Sequence, residues 1–271
     1  MADTPRTRVI VAVGSICPNP LALAAAAELA MAVDAELATL FIEDISLLRL
    51  AELPIALEVG ITLPAPRRLL ATDIECGFKS QAGELRRVLA EIGAALEIDL
   101  TFDVARGKPA RVLLETSTAQ DLIVFATAVP GTLTHHPPAQ VVRKALHSAT
   151  GAKAQRPGRT VAALVRPDDT LPRILTVASK LALRSEAELV LLVEDAARDD
   201  GLAEAVNAWL ESQEATARIV RLPDMSPATI AARVAEMNSQ VLFLPGDGAP
   251  AIECAIETLL AKIHCPVVVV R

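Results

Sequence analysis

One stretch of sequence decides the fold because it occurs twice. Residues 8–37 read RVIVAVGSICPNPLALAAAAELAMAVDAEL, and residues 160–189 read TVAALVRPDDTLPRILTVASKLALRSEAEL. The two stretches align without a gap, and ten of the 30 aligned pairs are identical. Each contains an apolar run, a polar turn, an amphipathic pattern and a second apolar run, in the same order. A repeat of this length predicts two similar domains, 1–157 and 158–271, rather than a solenoid.

Within each copy the apolar pattern alternates between strand and helix spacing. Residues 9–13 (VIVAV) form an apolar run typical of a parallel strand covered on both faces, and residues 22–33 carry apolar side chains at helical spacing. Further strands are predicted at 37–42, 100–104, 122–126, 161–165, 190–193, 218–222, 241–244 and 267–270, and further helices at 79–97, 110–117, 139–148 and 252–263. This order predicts an α/β fold of two doubly wound, open parallel sheets that are Rossmann-like and related by a pseudo-twofold axis.

The composition argues against several classes of protein. The net charge is −7, there is no Tyr and only one Trp, so the chain lacks both the basic surface and the aromatic platforms of nucleic-acid binders. No uncharged apolar run reaches about 20 residues, so we expect a soluble protein without membrane insertion. The four cysteines form no CxxC pair and no secretory signal precedes the first strand, which favours a cytoplasmic location.

The first copy has no counterpart of the apolar strand at 267–270 that ends the second copy. Its fourth strand, 122–126, should therefore be a bare sheet edge unless another strand pairs with it. We expect the second domain or a second chain to cover this edge. The sequence thus predicts a homo-oligomer or an intramolecular pseudo-dimer.

The ordered set of elements resembles the universal stress protein family in its tandem form. Residues 264–271 (HCPVVVVR) resemble the Cys-Pro-Val strand that ends such domains. Residues 105–128 (ARGKPARVLLETSTAQDLIVFATA) resemble the family's Gly-x-Pro-Ala helix start and the Asp-Leu-Ile-Val strand that follows it. The resemblance implies a five-stranded parallel sheet of the adenine-nucleotide-hydrolase type, dimerisation, a stress-response role and, in one subgroup, ATP binding.

The resemblance implies an Asp at the end of strand one in the ATP-binding subgroup, and both copies depart from it. In the first copy Gly14 stands near that position. In the second copy Arg166 and Pro167 stand there, and Asp168 and Asp169 follow.

The same subgroup has a Gly-x2-Gly-x9-Gly-(Ser/Thr) loop after strand four, and neither copy keeps it. The first copy has a lone Gly131, and the second has Glu253 and Cys254 where the Gly-Ser pair belongs. A carboxylate at that place would repel phosphate. The resemblance therefore supports the fold more than it supports nucleotide binding, and it implies no firm cofactor, with ATP or AMP as the alternative.

The first domain is the better candidate for a small ligand, because its sheet edge lacks these charged substitutions. Ligands of open α/β sheets bind outside the carboxyl ends of the strands. The candidate binding residues at that edge are Gly14, Ser15, Gly107, Thr127 and Gly131. In the second domain Gly246 and Gly248 could form a remnant phosphate cradle or an ordinary strand-to-helix turn.

No motif predicts a metal site or a catalytic site. The adjacent His135 and His136 have no Cys, Asp or Glu at metal-ligand spacing, and no Ser-His-Asp or Cys-His arrangement has a supporting motif. The chain is therefore interpreted as non-enzymatic, with weak ATPase activity as an alternative.

Residues 45–70 form a long apolar connection that contains three prolines. Long connections are commonly functional or packed on themselves. The segment could be a flap over the ligand edge, a cover for the sheet, or a surface that docks a protein partner. In the docking hypothesis the anchors are Leu47, Leu48, Leu50, Leu53 and Leu57.

Three functional hypotheses follow from the sequence. The first is a universal stress protein-like regulatory or small-ligand-sensing protein without catalysis. The second is an ATP- or AMP-binding member of that family with weak hydrolysis. The third is a structural adaptor that docks a partner through the leucine-rich insertion.

Overall fold

The structure is a computed structural model that describes residues 7–14, 20–58, 66–96, 99–125, 159–195, 200–246, 256 and 258–271. The strands are β1 (Arg8–Gly14), β2 (Glu36–Asp44), β3 (Leu57–Glu58), β4 (Arg67–Arg68), β5 (Leu100–Gly107), β6 (Asp121–Phe125), β7 (Thr160–Leu164), β8 (Glu188–Glu194), β9 (Arg218–Leu222), β10 (Ser239–Pro245) and β11 (Val267–Val270). The helices are α1 (Pro20–Val33), α2 (Ile45–Glu52), α3 (Ala71–Leu96), α4 (Pro109–Thr116), α5 (Leu171–Arg184), α6 (Asp200–Ser212) and α7 (Pro227–Glu236).

Nine strands form one sheet in the order β5-β2-β1-β6-β11-β10-β7-β8-β9. The first four belong to the amino-terminal half (residues 7–125) and are parallel to one another. The other five belong to the carboxyl-terminal half (residues 159–271) and are also mutually parallel. The sequence predicted two separate parallel sheets, whereas in the structure the two parallel sets of strands are joined edge to edge in one sheet.

The join is an antiparallel pairing between β6 and β11. Phe125 lies opposite Val267, and Leu122 lies opposite Val270. The prediction that the second half would cover the free edge of the fourth strand is therefore confirmed. Because the pairing is antiparallel, the carboxyl ends of the strands lie at one edge of the sheet in the first half and at the opposite edge in the second.

Two arginines add polar contacts across this join. Arg173 of α5 donates hydrogen bonds to the backbone carbonyls of Ala119, Gln120 and Arg271. The guanidinium of Arg271 donates to the Ser117 carbonyl at 3.2 Å and to Ser117 Oγ at 2.7 Å. The carbonyls of the turn before β6 are thereby satisfied by side chains from the other half of the chain.

Helices cover both faces of the sheet, which confirms the doubly wound α/β class. On one face α1, α3, α5 and α6 pack over Val9, Val11, Val161 and Phe243 in a single buried cluster that spans both halves. On the other face α4 and α7 pack over Ile10, Ile123, Leu192 and Leu242. The helix α1 contacts α5 across the join. Its buried alanines (Ala22, Ala26, Ala27 and Ala30) allow this close approach.

The sequence repeat is preserved in the backbone at the ends of α1 and α5. Asp34 has φ 54° and Glu186 has φ 52°, and these two positions are equivalent in the repeat. The amide of the residue that follows closes the helix in each copy. Ala35 N donates to Ala30 O, and Ala187 N donates to Ala182 O, both at 2.9 Å. This six-residue closure with a left-handed residue is a Schellman motif.

Two elements differ from the sequence predictions. The helix α3 begins at Ala71 rather than at residue 79, because Ile74 and Phe78 extend its apolar stripe past Gly77. The insertion contains α2 and the two-stranded hairpin β3–β4, which were not predicted. The predicted helix at 139–148 and the domain boundary near residue 158 lie outside the described residues. In the described part of 252–263, residues 256 and 258–260 are helical.

Candidate functional site

The switch point of the amino-terminal half lies between β1 and β6, whose chain connections run in opposite directions along the sheet. Gly14 ends β1, and Phe125 ends β6. A crevice outside the carboxyl ends of these two strands is where an open α/β sheet takes a ligand. Gly14 is therefore placed at the predicted site. Ser15, Thr127 and Gly131 lie outside the described residues.

Gly107 ends β5 at the same edge, opposite Asp44 of β2. Since β2 lies between β5 and β1, and Gly107 lies two residues beyond the position level with Gly14, the two glycines are about 12 Å apart. A Cβ on Gly107 would come within 2.7 Å of Val112 Cγ2, and its φ is 154°. Glycine is thus required for α4 to turn back tightly from β5 and pack against the sheet.

The amino terminus of α4 brings positive potential to this edge. Lys108 precedes the helix, makes no side-chain cap, and is exposed. Within the described ranges Lys108 has no ion-pair partner. The free backbone N–H groups of a helix amino terminus and a nearby ammonium both favour an anion.

The other charged groups at this edge are paired. Arg106 donates to Glu43 Oε2 at 2.9 Å and to Glu75 Oε1 at 3.4 Å. These hydrogen bonds, chiefly the one to Glu43, raise the pKa of Arg106. The Asp44 carboxylate accepts from Ser46 N at 2.8 Å and caps α2. Among the described residues at this edge, Lys108 is a cation without an ion-pair partner.

The corresponding edge of the carboxyl-terminal half is closed by packing. The Gly246 amide donates to Val270 O at 2.7 Å. A Cβ on Gly246 would lie 2.7 Å from Val269 Cγ1. The backbone of Gly246 therefore contacts β11, and its N–H is already used. Gly248 lies outside the described residues.

Carboxylates also surround this second edge. Asp168 follows β7, and its Oδ1 accepts from Thr170 N at 2.9 Å and from Thr170 Oγ1 at 2.6 Å. Asp195 follows β8, and its Oδ1 is 3.9 Å from Arg221 Nη1. Asp169 is exposed. This arrangement of negative charge would repel a phosphate group.

A cavity of about 590 Å³ lies at the amino end of β8 and β9, between the carboxyl ends of α5 and α6. Its lining includes Lys180, Gln213, Thr216 and the ion pair in which Arg218 Nε donates to Glu188 Oε1 at 2.8 Å. No sequence motif signals this cavity, because it depends on where α6 ends relative to β8.

The five leucines of the insertion do not share one environment. Leu48 is buried and Leu47 is half-buried against the core, because they lie on the inner face of α2. These two residues are therefore wrong as docking anchors. Leu50, Leu53 and Leu57 are exposed by 46%, 48% and 61%.

The part of the chain that the structure describes lacks two kinds of feature. It contains no group of three or more His, Cys, Asp and Glu side chains placed to hold a metal ion. His135 and His136 lie outside it. It also contains no helix with the length and apolar character needed to cross a membrane.

Comparisons with known proteins extend the fold assignment. No family model and no curated protein matches the sequence. A universal stress protein from Archaeoglobus fulgidus DSM 4304 aligns over 96% of this chain and 95% of its own, with 12% identity and a TM-score of 0.56. A candidate universal stress protein from Pseudomonas aeruginosa UCBPP-PA14 aligns over 97% and 92%, with 16% identity and a TM-score of 0.48.

A universal stress protein in complex with cAMP aligns over 42% of this chain and 96% of its own, with 17% identity and a TM-score of 0.34. The archaeal protein has a TM-score above 0.5, so the fold comparison rests on it. The chain therefore has the fold of a universal stress protein.

Proposed function

We propose that the chain is a universal stress protein-like, non-catalytic sensor of a small anionic ligand, which binds at the carboxyl edge of the amino-terminal half. The observation that carries the proposal is the difference between the two equivalent edges. One edge presents Gly14 at the switch point and, at a helix amino terminus, Lys108, which has no ion-pair partner among the described residues. At the other edge the Gly246 amide is bonded to Val270, and Asp168 and Asp169 follow β7 where the first copy of the sequence has Ile16 and Cys17.

An adenine nucleotide such as ATP or AMP is the ligand class that we favour. Its phosphates suit Lys108 and the first turn of α4, since both favour negative charge. Its base and ribose would extend along the strand ends toward Gly14, about two strand spacings away. Weak hydrolysis of bound ATP is the alternative activity at the same site.

The presence of a bound nucleotide can be tested directly. Purified protein is extracted with acid, and the extract is analysed by mass spectrometry. The unfolding temperature is then measured with and without millimolar ATP, AMP and cAMP, because a ligand that binds the folded state raises it. No extracted nucleotide and no change in melting temperature with any of the three would reject nucleotide sensing.

A charge-reversal pair locates the site. Lys108→Glu should abolish the ligand-induced rise in melting temperature, because it replaces the unpaired cation at the α4 amino terminus. Lys180→Glu is the matched control, since Lys180 is an exposed lysine beside the cavity at the amino end of β8. Equal loss in both variants would show a non-specific effect of net charge. Release of phosphate from ATP, measured in parallel, separates sensing from hydrolysis.

A further inference from the structure

The cavity between the carboxyl ends of α5 and α6 has no part in the site at the carboxyl edge of the amino-terminal half. We call it the α5–α6 cavity, and its volume of about 590 Å³ is that of a small-molecule binding site. It lies at the amino ends of β8 and β9. In the sheet β8 is five strand spacings, about 24 Å, from β1. The α5–α6 cavity is therefore a second, separate candidate site.

Two helix-to-strand turns form walls of the α5–α6 cavity, and backbone hydrogen bonds fix both of them. The turn from α5 to β8 is closed by the Schellman motif at Glu186. The turn after α6 is closed in the same way, because Glu214 has φ 49° and Ala215 N donates to Leu210 O at 3.0 Å. Walls that are already in place lower the free-energy cost of binding a ligand.

The lining of the α5–α6 cavity carries charges of both signs. Arg218 and Glu188 neutralise each other, since Arg218 Nε donates to Glu188 Oε1 at 2.8 Å and Arg218 Nη2 donates to Glu188 Oε2 at 3.2 Å. Lys180 of α5 and Glu214 after α6 also line the cavity and are exposed. Neither has an ion-pair partner among the described residues. The lining therefore offers a ligand one ammonium and one carboxylate.

The helix ends add negative potential on the side of Glu214. The carboxyl end of a helix favours a nearby cation. The last turn of α6 contains no basic residue, and Arg184 in the last turn of α5 donates to Met31 Sδ of α1 at 3.2 Å. A purely anionic ligand would be repelled by Glu214 and the helix ends, and a purely cationic ligand would be repelled by Lys180. A ligand with one charge of each sign meets neither repulsion.

Aliphatic side chains form the apolar part of the same lining. Leu189 and Ala182 are buried, and Leu183 is 84% exposed. A ligand that covers Leu183 removes apolar surface from water, which favours binding. The ligand that suits this lining has an aliphatic body between its two charged groups and Leu183.

From this combination we propose that the α5–α6 cavity binds an aliphatic zwitterion, a molecule with one ammonium group and one carboxylate such as an amino acid or a dipeptide. The carboxylate of the ligand pairs with Lys180. Its ammonium group pairs with Glu214 at the carboxyl end of α6, and its aliphatic part packs on Leu183 and Leu189. Fixed donors and acceptors of both signs would orient the ligand in one direction.

Equilibrium dialysis of the full chain against radiolabelled L-leucine and glycyl-L-leucine tests the proposal. At least one of the two should bind at millimolar concentration with one site per chain, and the two probes distinguish a free amino acid from a peptide. The competitors 4-methylpentanoate, which lacks the ammonium group, and 3-methylbutylamine, which lacks the carboxylate, should displace the probe several-fold less well than the unlabelled zwitterion. No binding of either probe overturns the proposal, and so does equal competition by either single-charge analogue.

Two neutral substitutions locate the bound zwitterion. Lys180→Gln and Glu214→Gln should each weaken binding about threefold to fivefold, because each removes one of the two opposite charges from an exposed position. Lys262→Gln and Glu204→Gln are the matched controls, since both residues are exposed and neither lines the cavity. Binding that Lys180→Gln and Glu214→Gln leave unchanged overturns the proposal. The test uses neither a nucleotide nor a variant of Lys108, so its outcome is independent of nucleotide sensing.

Discussion

Arg8 and Asp121, the first residues of the neighbouring strands β1 and β6, form a bidentate ion pair. Arg8 Nε donates to Asp121 Oδ1 at 3.0 Å, and Arg8 Nη2 donates to Asp121 Oδ2 at 2.8 Å. Asp121 is 1% exposed and also accepts from Thr118 N and Oγ1. The equivalent strands of the other half pair Thr160 with Ser239 through a hydroxyl contact of 2.8 Å. The two halves therefore anchor the same strand pair by different chemistry.

Asp121→Asn should lower the free energy of unfolding by about 2 kcal/mol, because it leaves the Arg8 guanidinium and the Thr118 amide facing a neutral group at a buried position. Urea denaturation at neutral pH measures the change. The matched control is Glu115→Gln, which removes the charge from the exposed Arg111–Glu115 pair and should cost less than about 0.5 kcal/mol. Equal losses of unfolding free energy in the two variants would contradict the argument that burial makes the Arg8–Asp121 pair the more stabilising of the two.

The Asp121 pair should also make stability depend on pH. Burial acts to raise the pKa of Asp121, but hydrogen bonds from Arg8 and Thr118 outweigh it and lower the pKa below its ordinary value. A carboxyl group with a depressed pKa in the folded state contributes stability above the unfolded value of about 3.9, and loses it as the pH falls toward the folded pKa. The stability gap between wild type and Asp121→Asn should therefore be full from pH 5 to 7 and should shrink below about pH 4. A gap that does not change between neutral and acidic pH would contradict this assignment.

Glu28 should have the opposite pH dependence. It lies on α1 beside a small cavity of about 90 Å³ that Arg159 and Gln240 also line. Burial raises the pKa of Glu28, although Arg159 and Arg184 partly oppose the shift. A carboxyl group with a raised folded pKa contributes stability below the unfolded value of about 4.3 and loses it as the pH rises through the folded pKa.

Glu28→Gln should accordingly stabilise the protein at neutral pH, since glutamine fills the same place without a charge. The gain should vanish near pH 4. Urea unfolding curves at the two pH values measure it, and Glu204→Gln on the exposed side of α6 is the control, with no change expected. A loss of stability at neutral pH would show that the carboxylate gains more from Arg159 than it loses by burial.

Thr39 carries a buried hydroxyl that has no hydrogen-bond partner in the part of the chain that the structure describes. It is 1% exposed in the middle of β2, between Val11 of β1 and Phe102 of β5. Thr39→Val removes the unsatisfied oxygen and keeps the shape, so it should raise the free energy of unfolding by about 1 kcal/mol. Thr160→Val is the control, because Thr160 Oγ1 contacts Met237 O and Ser239 Oγ. That variant should lower the free energy of unfolding by about 1–2 kcal/mol, and a loss in both would contradict the argument.

The repeat and its apolar runs were sufficient to predict the class of fold, because strands buried on both faces need unbroken aliphatic runs such as residues 9–13. The missing closing strand was sufficient to predict that β6 would be covered. The Arg8–Asp121 pair was not predictable, because it depends on the register of strands 113 residues apart in sequence. The hydrogen bond from the Gly246 amide to Val270 O was not predictable for the same reason. It forms because β10 and β11 lie side by side in the sheet.

The environments of the leucines in the insertion could not be predicted from the sequence for a different reason. Its leucines at successive positions of one short helix point both inward and outward, so composition alone could not separate Leu48 from Leu50. The amphipathic pattern of α2 would have separated them once its start at Asp44 was known, because Asp44 caps the helix through Ser46. Local capping chemistry is therefore the signal that the sequence analysis missed.

The repeated helices α1 and α5 are each followed by a residue with a left-handed backbone conformation, Asp34 and Glu186. Glu186 adopts φ 52° at the end of α5, in a backbone region that costs an L-residue about 1–2 kcal/mol and that glycine adopts freely. Glu186→Gly should therefore raise the free energy of unfolding by about 1 kcal/mol, after the greater chain entropy of glycine in the unfolded state is subtracted. Urea denaturation measures the gain. Glu204→Gly, inside α6, is the control and should cost about 1 kcal/mol, because glycine there loses helix propensity without relieving any strain. If both variants lost stability equally, the left-handed closure at Glu186 would not be strained, and the equivalent replacement of Asp34 at the end of α1 would then also bring no gain.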